Sequence, residues 1–240
     1  MSNHESAAPG KHSSRTTTPY RPWLNGDDVY KLYGSKGSGS AAIEVALGCC
    51  EVPFEIVHAS SWEADSAIDE LAQLNPLKQI PTLVLPDGTV LSESAAILIH
   101  LGLTCPESGL LANDNSRRAR QLRGLIYIVA NCYSAVSVSD FPERWCTDPD
   151  EQTCTRIRDA ARVQLHRHWE IFADLFPATP FLSGTAPGAL DYLAAVVSKW
   201  SGTRAHLRAA RPEFTLTLLA IESHPQVAPV FARHWATPAA

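Results

Sequence analysis

The 240-residue chain has no excess of positive charge and no long hydrophobic run. Its 20 Lys and Arg residues stand against 25 Asp and Glu residues, which gives a net charge of −5 at pH 7, and no run of basic residues reaches five. Because nucleic-acid binding requires a concentrated positive surface, we expect no nucleic-acid partner. No uninterrupted apolar run reaches 18 residues, so we expect no transmembrane helix and no membrane partner.

Metal-binding and redox motifs are also missing. No two cysteines have CxxC spacing, and no group of cysteines and histidines has zinc spacing, so no metal is expected. The N-terminal residues 1–27 are polar, rich in Ser, Thr and Pro, and lack the apolar core of a secretory signal; they are predicted to be a disordered extension. Free thiols in a reducing compartment then predict a cytoplasmic protein. The six cysteines are Cys49, Cys50, Cys105, Cys132, Cys146 and Cys154.

What the chain does contain is an alternation of short strand and helix patterns over residues 28–106. The pattern predicts strands at 29–33, 53–58, 82–85 and 90–91, and helices at 41–47, within 62–74, and at 95–101. This βαβαββα order predicts a four-stranded mixed sheet with helices on both faces.

Beyond a linker at residues 107–114, strand patterns nearly vanish. Residues 115–240 are predicted to form an all-helical domain with helices at 116–136, 153–176, 189–199 and 224–234, and a loop at 141–150. The predicted fold class is therefore an α/β domain followed by a helical bundle.

The most informative segment is residues 75–101, NPLKQIPTLVLPDGTVLSESAAILIHL. The Ile80-Pro81 step opens an apolar strand, and a cis bond there would turn the Ile80 backbone outward toward an extended ligand. Residues 86–89 form a strong turn signal between two strands. Ser94 opens a helix, where its hydroxyl and the unpaired N–H groups suit a carboxylate. An ordinary hairpin followed by a capped helix explains the same pattern, so the residues alone leave both interpretations open.

The order NPxxQxP…DGxxLxES…I resembles the N-terminal, thioredoxin-like domain of the cytosolic glutathione transferases. Residues 29–235 resemble that two-domain superfamily as a whole, in a bacterial-type, serine-like or atypical class. The resemblance implies that Pro81 is a cis-proline and that the Ile80 backbone pairs with the cysteinyl part of glutathione. It also implies that Glu93 holds the γ-glutamyl ammonium and that Ser94 with its N–H holds the carboxylate.

The same resemblance extends to positions outside that central segment. Gln79 and Lys78 lie where the family often contacts the glycyl end of glutathione, although a solvated loop lysine explains Lys78 equally well. Asp191, three residues after Gly188, lies where the family has an acidic residue that holds the start of a buried central helix. We interpret Asp191 as a folding residue, not a catalytic one.

Glutathione transfer requires a thiolate at neutral pH, and a helix N-terminus with hydrogen-bond donors can lower a thiol pKa from about 8.5 into that range. In the resembled fold, residues 34–41 lead into the first helix at the ligand sulfur. Three serines there compete for the donor role: Ser38 is the first choice, and Ser40 and Ser35 follow. A site built only from backbone N–H groups stays open, because the segment has neither the tyrosine nor the cysteine of other classes.

The resemblance predicts a homodimeric detoxification enzyme that uses glutathione as co-substrate against a small hydrophobic electrophile. One alternative is a non-catalytic protein that binds glutathione or another ligand. Another is a disulfide oxidoreductase or isomerase of similar fold, although a disulfide oxidoreductase needs a nucleophilic cysteine at the start of the first helix. The acceptor is expected between the domains, against an aromatic wall drawn from Tyr127, Tyr133, Phe141, Trp145 and Trp200.

Overall fold

The computed structural model describes residues 29–63 and 65–236. The predicted N-terminal extension, residues 1–27, lies outside the described residues. The predicted mixed sheet is confirmed, with strand order β2-β1-β3-β4, in which β1 and β2 are parallel and the other pairs are antiparallel. Its strands are β1 (Tyr30–Gly34), β2 (Phe54–His58), β3 (Thr82–Val84) and β4 (Val90–Leu91).

Three helices accompany this sheet: α1 (Ser40–Cys49), α2 (Ile68–Leu74) and α3 (Ser94–Thr104). Every residue of α1 from Ser40 to Leu47 is buried, and the helix packs against α3 and two C-terminal helices. Over this stretch the helix has no solvent face, since its neighbours cover every side, whereas Gly48 near its C-terminal end is exposed. The N-terminus of α1 is therefore held in a fixed place beside the rest of the molecule.

The helix predicted at 116–136 is longer and irregular. It comprises α4 (Asn115–Tyr127), a π-helical segment (Ile128–Tyr133) and α5 (Ser134–Asp140). A π-helical segment widens the helix locally and redirects the side chains at its end, often at functional sites. By length and composition alone, Asn115–Asp140 could cross a membrane. A bundle's core helix has the same composition, and this one packs against helices of the bundle.

The rest of the bundle differs from the sequence prediction in two places. Two short helices occupy a stretch for which we predicted none, and the predicted helix 224–234 is wrong at its start, because α10 begins only at Ala228. His224 is extended (ψ 137°) because it precedes Pro225, and a proline disfavours helical geometry in the residue before it. A 3₁₀ turn, Pro142–Trp145, also lies within the predicted loop. The bundle contains α6 (Glu151–Leu175), α7 (Ala189–Val197), α8 (Thr203–Ala210), α9 (Pro212–Ser223) and α10 (Ala228–His234).

The start of α7 has the arrangement expected from the sequence. Gly188 is the N-cap, and the fully buried Asp191 carboxylate accepts hydrogen bonds from three backbone N–H groups. The donors are Leu182 at 2.8 Å, Ser183 at 2.9 Å and Gly188 at 3.0 Å. Because one carboxylate satisfies two buried donors and one part-buried donor, it joins the preceding turn to the central helix.

Candidate active site

A cavity of about 570 Å³ lies where the sheet edge meets the helical bundle. Three chain segments from the first domain border it: the loop before α1 at Gly37 and Ser38, the strand entry at 79–81, and the turn at 92–94. The π-helical segment and α5 form the opposite wall. The cavity thus combines a sheet edge, two helix N-termini and an apolar wall.

At the strand entry, the Ile80–Pro81 peptide bond is cis, as the resemblance implied. The preceding Gln79 carbonyl accepts hydrogen bonds from the Asn75 side chain at 3.2 Å and from the Thr82 hydroxyl at 2.8 Å. In the part of the chain that the structure describes, the Ile80 N–H and C=O form no hydrogen bond. The backbone of Ile80 is therefore free to pair with an extended ligand in the cavity.

The other two residues of this loop differ in position. Gln79 is exposed and borders the cavity, whereas Lys78 is exposed and does not border it. Lys78 has a left-handed backbone (φ 53°), which is uncommon for a residue with a side chain. The structure brings Gln79 to the site, whereas Lys78 is not among the residues that border it.

The turn at 92–94 supplies a second polar surface. Glu93 is the N-cap of α3 and has a positive φ of 67°. For a residue with a side chain this backbone conformation costs of order 1–3 kcal/mol, and such residues cluster at functional sites. Ser94 is only 3% exposed, and its hydroxyl has no hydrogen-bond partner among residues 29–63 and 65–236. The N–H groups of the first turn of α3, which have no partner within the helix, lie at the same helix end as this hydroxyl. This surface can bind a carboxylate.

The three candidate serines are all buried but have different surroundings. Ser38 alone of the three borders the cavity. Its hydroxyl donates to the Ser35 carbonyl at 2.7 Å and lies 2.8 Å from the Ser40 hydroxyl. Ser40 also reaches the Ser35 carbonyl, at 3.2 Å. The Ser35 hydroxyl is buried with no partner in the described chain.

The loop before α1 is held by residues from the far end of the chain, which sequence reasoning missed. The Gly37 N–H donates to His234 Nδ1 at 3.2 Å, and Trp200 Nε1 donates to the Gly37 carbonyl at 3.2 Å. Glu44 in α1 bonds His234 Nε2 at 2.8 Å and forms an ion pair with Arg233. These contacts fix the position of the loop that carries Ser38. No local sequence signal indicates them.

The electrostatics of this network centre on Glu44. Burial raises the pKa of the Glu44 carboxyl, but hydrogen bonds from His234 and Arg233 outweigh it and lower the pKa below its ordinary value. Since His234 Nδ1 accepts the Gly37 N–H, its Nε2 carries the proton donated to Glu44. One imidazole therefore connects the ionised carboxylate to the active-site loop.

The aromatic wall is formed by four of the five predicted residues. Tyr127 is turned away from the cavity, and its hydroxyl donates to the His168 carbonyl at 3.1 Å. Trp62, which we had not predicted, borders the cavity from the opposite side. The four predicted wall residues that do border it are Tyr133, Phe141, Trp145 and Trp200.

The charged side chains at the cavity are acidic. Glu93 and Asp140 border it, and burial raises the pKa of Asp140. Among the described residues that border the cavity there is no Lys or Arg. Arg123 instead lies over the Phe176 ring, and Arg144 over Phe141, with centroid distances of 5.4 Å and 4.0 Å.

Comparison with known proteins identifies the family. Residues 40–103 match the family model of the glutathione S-transferase N-terminal domain. The glutathione S-transferase GstA of Escherichia coli O157:H7 is 30% identical over 144 residues, which cover 58% of this chain and 72% of that protein. The chain therefore belongs to the glutathione S-transferase superfamily.

Other relatives match over shorter lengths. The uncharacterized GST-like protein YncG of Escherichia coli K12 is 38% identical over 127 residues, which cover 52% of this chain and 60% of that protein. The maleylacetoacetate isomerase of Dictyostelium discoideum is 35% identical over 100 residues, which cover 41% and 45%. The chain thus spans about half the length of these curated relatives.

Solved structures show the same two-part fold. A glutathione transferase homologue from Sulfitobacter with bound glutathione has a TM-score of 0.75 at 20% identity, covering 84% of this chain and 96% of that one. The ternary complex of BphK, a bacterial GST, has a TM-score of 0.70 at 24% identity, covering 84% and 97%. The thioredoxin-like domain with a helical C-terminal region is thereby confirmed.

Proposed function

We propose that the chain is a glutathione transferase that activates the glutathione thiolate for attack on a small hydrophobic electrophile. The observation that carries this proposal is the meeting of three features in one cavity. These are the unpaired backbone of Ile80, the unpartnered hydroxyl of Ser94 at the start of α3, and the start of α1. Residues 28–106 would then bind glutathione, and residues 115–240 would supply the acceptor wall.

Glutathione would bind as a short extended strand beside Ile80, whose backbone groups would pair with the cysteinyl residue. The γ-glutamyl carboxylate would accept hydrogen bonds from Ser94 and from the first N–H groups of α3. Glu93 would pair with the γ-glutamyl ammonium. Gln79 would reach the glycyl end, and Lys78 would add charge only at the rim.

The cysteinyl sulfur would then lie beside the N-terminus of α1. The helix dipole and a nearby hydroxyl stabilise a thiolate there, and the thiol proton leaves to solvent. The sulfur lone pair forms the new bond to the electrophilic carbon, and the leaving group departs with its electron pair. Ser38, whose hydroxyl borders the cavity, is one donor for this thiolate, ahead of Ser40 and Ser35.

The charge of the cavity affects which acceptor substrates it can bind. Once Glu93 is paired with the γ-glutamyl ammonium, Asp140 remains as an acidic residue at the cavity, and the residues bordering it within the described chain include no Lys or Arg. An anionic acceptor would meet repulsion that an uncharged aromatic or alkyl electrophile avoids. This favours an uncharged electrophile over maleylacetoacetate, a dicarboxylate, which appears in the names of several relatives.

A non-catalytic, ligand-binding role is the second candidate, and one observation favours it. The Ser38 hydroxyl is already engaged by Ser35 and Ser40, so binding without thiolate activation is consistent with the serine geometry. A disulfide oxidoreductase is less well supported. Residues 34–41 contain no cysteine, and Cys49 lies at the far end of α1, where burial raises its thiol pKa.

The proposal is tested with reduced glutathione and 1-chloro-2,4-dinitrobenzene. We expect heat of association by calorimetry at millimolar glutathione or below, and formation of the thioether product. Binding without product would favour the ligand-binding alternative. No heat of association in folded protein would refute the proposal. We propose a homodimer in the cytoplasm; sedimentation tests the dimer, and cell fractionation tests the location.

A further inference from the structure

The N-cap of α1, Gly39, faces a tyrosine from the other domain. Its φ of −60° would accept any residue, but a Cβ at Gly39 would lie 2.7 Å from the Tyr133 hydroxyl oxygen. The same Cβ would lie 3.3 Å from Pro81 Cδ. The Tyr133 hydroxyl therefore occupies the space beside the first turn of α1, next to the cis-proline, where a side chain of the N-cap residue would otherwise extend.

This hydroxyl is a hydrogen-bond donor without a partner. Tyr133 borders the cavity, and among residues 29–63 and 65–236 nothing accepts its O–H. Burial, with smaller contributions from Glu93 and Asp140, raises the pKa of Tyr133 to about 12. The phenol therefore keeps its proton at neutral pH and can donate it in a hydrogen bond.

The tyrosine is also held in place. It ends the π-helical segment Ile128–Tyr133, and its ring packs on Trp200 with centroids 5.3 Å apart. Trp200 in turn donates to the Gly37 carbonyl. The ring and the loop before α1 are thus coupled through one indole, which positions the hydroxyl relative to that loop.

Ser38 is in a different situation. Its hydroxyl already donates to the Ser35 carbonyl at 2.7 Å and lies against Ser40. To donate to a ligand, Ser38 would have to give up that bond and leave the Ser35 carbonyl to Ser40. Tyr133 gives up no hydrogen bond within the described chain when its hydroxyl donates to a ligand in the cavity.

We infer that Tyr133, from the helical domain, is the catalytic residue that donates the principal hydrogen bond to the glutathione sulfur. The inference rests on the proposed function and deepens it, because it places thiolate stabilisation across the domain boundary. Tyr133 keeps its proton throughout. The thiol proton goes to solvent, the sulfur–carbon bond forms, and the leaving group takes its electron pair.

The test compares Tyr133→Phe with Ser38→Ala and with a matched control, Tyr127→Phe. Tyr127 lies in the same long helix, with its hydroxyl on His168 away from the cavity. The measurements are the pKa of bound glutathione, from the pH dependence of thiolate ultraviolet absorbance, and kcat/KM with 1-chloro-2,4-dinitrobenzene against pH. Binding of S-methylglutathione, which cannot ionise at sulfur, reports on whether the site is intact.

In Tyr133→Phe we expect kcat/KM at neutral pH to fall about 10- to 150-fold, the range for one hydrogen bond to a charged group. The pKa of bound glutathione should rise by about one to two pH units. S-methylglutathione binding should stay near wild type. Ser38→Ala should lose less activity than Tyr133→Phe, and Tyr127→Phe should retain the wild-type profile.

Two failures are distinguishable. If the wild type lowers the pKa of bound glutathione and Tyr133→Phe lowers it equally, the inference is overturned while the proposed function stands. If the wild type does not bind glutathione or does not lower its thiol pKa, both are overturned. An equal loss in Tyr127→Phe would also overturn the inference, because it would indicate an effect on the helix and not on the sulfur.

Discussion

Gly39→Ala tests the close approach of the two domains at the start of α1. At φ −60°, replacing glycine by alanine contributes about 0.4–1 kcal/mol through the freedom that the unfolded chain loses, and this gain is offset in part because alanine is a poorer N-cap than glycine. Here the new methyl would lie 2.7 Å from the Tyr133 hydroxyl oxygen, well inside van der Waals contact. Because Trp200 and the helix hold the ring, the cost of overpacking, about 1–3 kcal/mol, should exceed the entropic gain.

We therefore expect Gly39→Ala to lower the free energy of unfolding, measured by urea denaturation with a thermal scan alongside. For a chain of this length each kcal/mol corresponds to about 2–4 °C in Tm. Gly48→Ala is the matched control: it lies in the same helix, and a Cβ there meets nothing within 4 Å. It should be stabilising, by up to about 1 kcal/mol.

The double variant Gly39→Ala/Tyr133→Phe gives the decisive comparison. Removing the hydroxyl leaves the new methyl 3.3 Å from Pro81 Cδ and 3.5 Å from the ring carbon, so most of the clash disappears. The loss from Gly39→Ala should then be largely recovered, with a coupling of about 1–3 kcal/mol. Additive effects, or a Gly39→Ala protein more stable than wild type, would refute the placement of Tyr133 beside α1.

Three further substitutions test the fold and the site. Asp191→Ala leaves two buried N–H groups and one part-buried N–H group without an acceptor and should lower the free energy of unfolding by about 3 kcal/mol or more, measured in urea; a loss under 1 kcal/mol would contradict its role at α7. Glu44→Gln should remove stability that the lowered carboxyl pKa supplies above its ordinary 4.5, so the wild-type advantage should shrink as pH falls through the lowered value; an advantage growing toward acid pH would reverse the sign. Ser94→Ala should weaken glutathione binding by about 10- to 150-fold in calorimetry, with the exposed Ser223→Ala as control; equal affinities would show that the hydroxyl does not contact the ligand.

The residues that form the site differ in how far apart they lie along the chain. Ile80–Pro81, the hairpin turn and the Ser94 helix start lie within 15 residues of one another. The turn and the helix start depend on neighbouring residues, and the family resemblance implied the cis bond at Ile80–Pro81. The same is true of Gly188 and Asp191. These features were predictable because the residues that determine them are adjacent in sequence.

The three candidate serines show what the local sequence does not determine. Ser35, Ser38 and Ser40 lie in one Gly/Ser loop, and residue type alone cannot rank them. Only the loop geometry shows that Ser38 borders the cavity. Ser40 does not border it, and its hydroxyl lies 2.8 Å from that of Ser38. The difference at the start of α10 has a local cause, since Pro225 disfavours helical geometry at His224.

The four strands, the main helices and the Gly188 cap followed from the sequence pattern, and the cis-proline followed from the family resemblance, because local residues specify each of them. Tertiary structure alone decided which groups meet at the start of α1. Gly37 is joined to His234 and Trp200 across 197 and 163 residues, and Tyr133 reaches Gly39 from the helical C-terminal region. Such pairs leave no periodic or capping signal, because packing between distant elements, and not the conformation of either segment, brings them together.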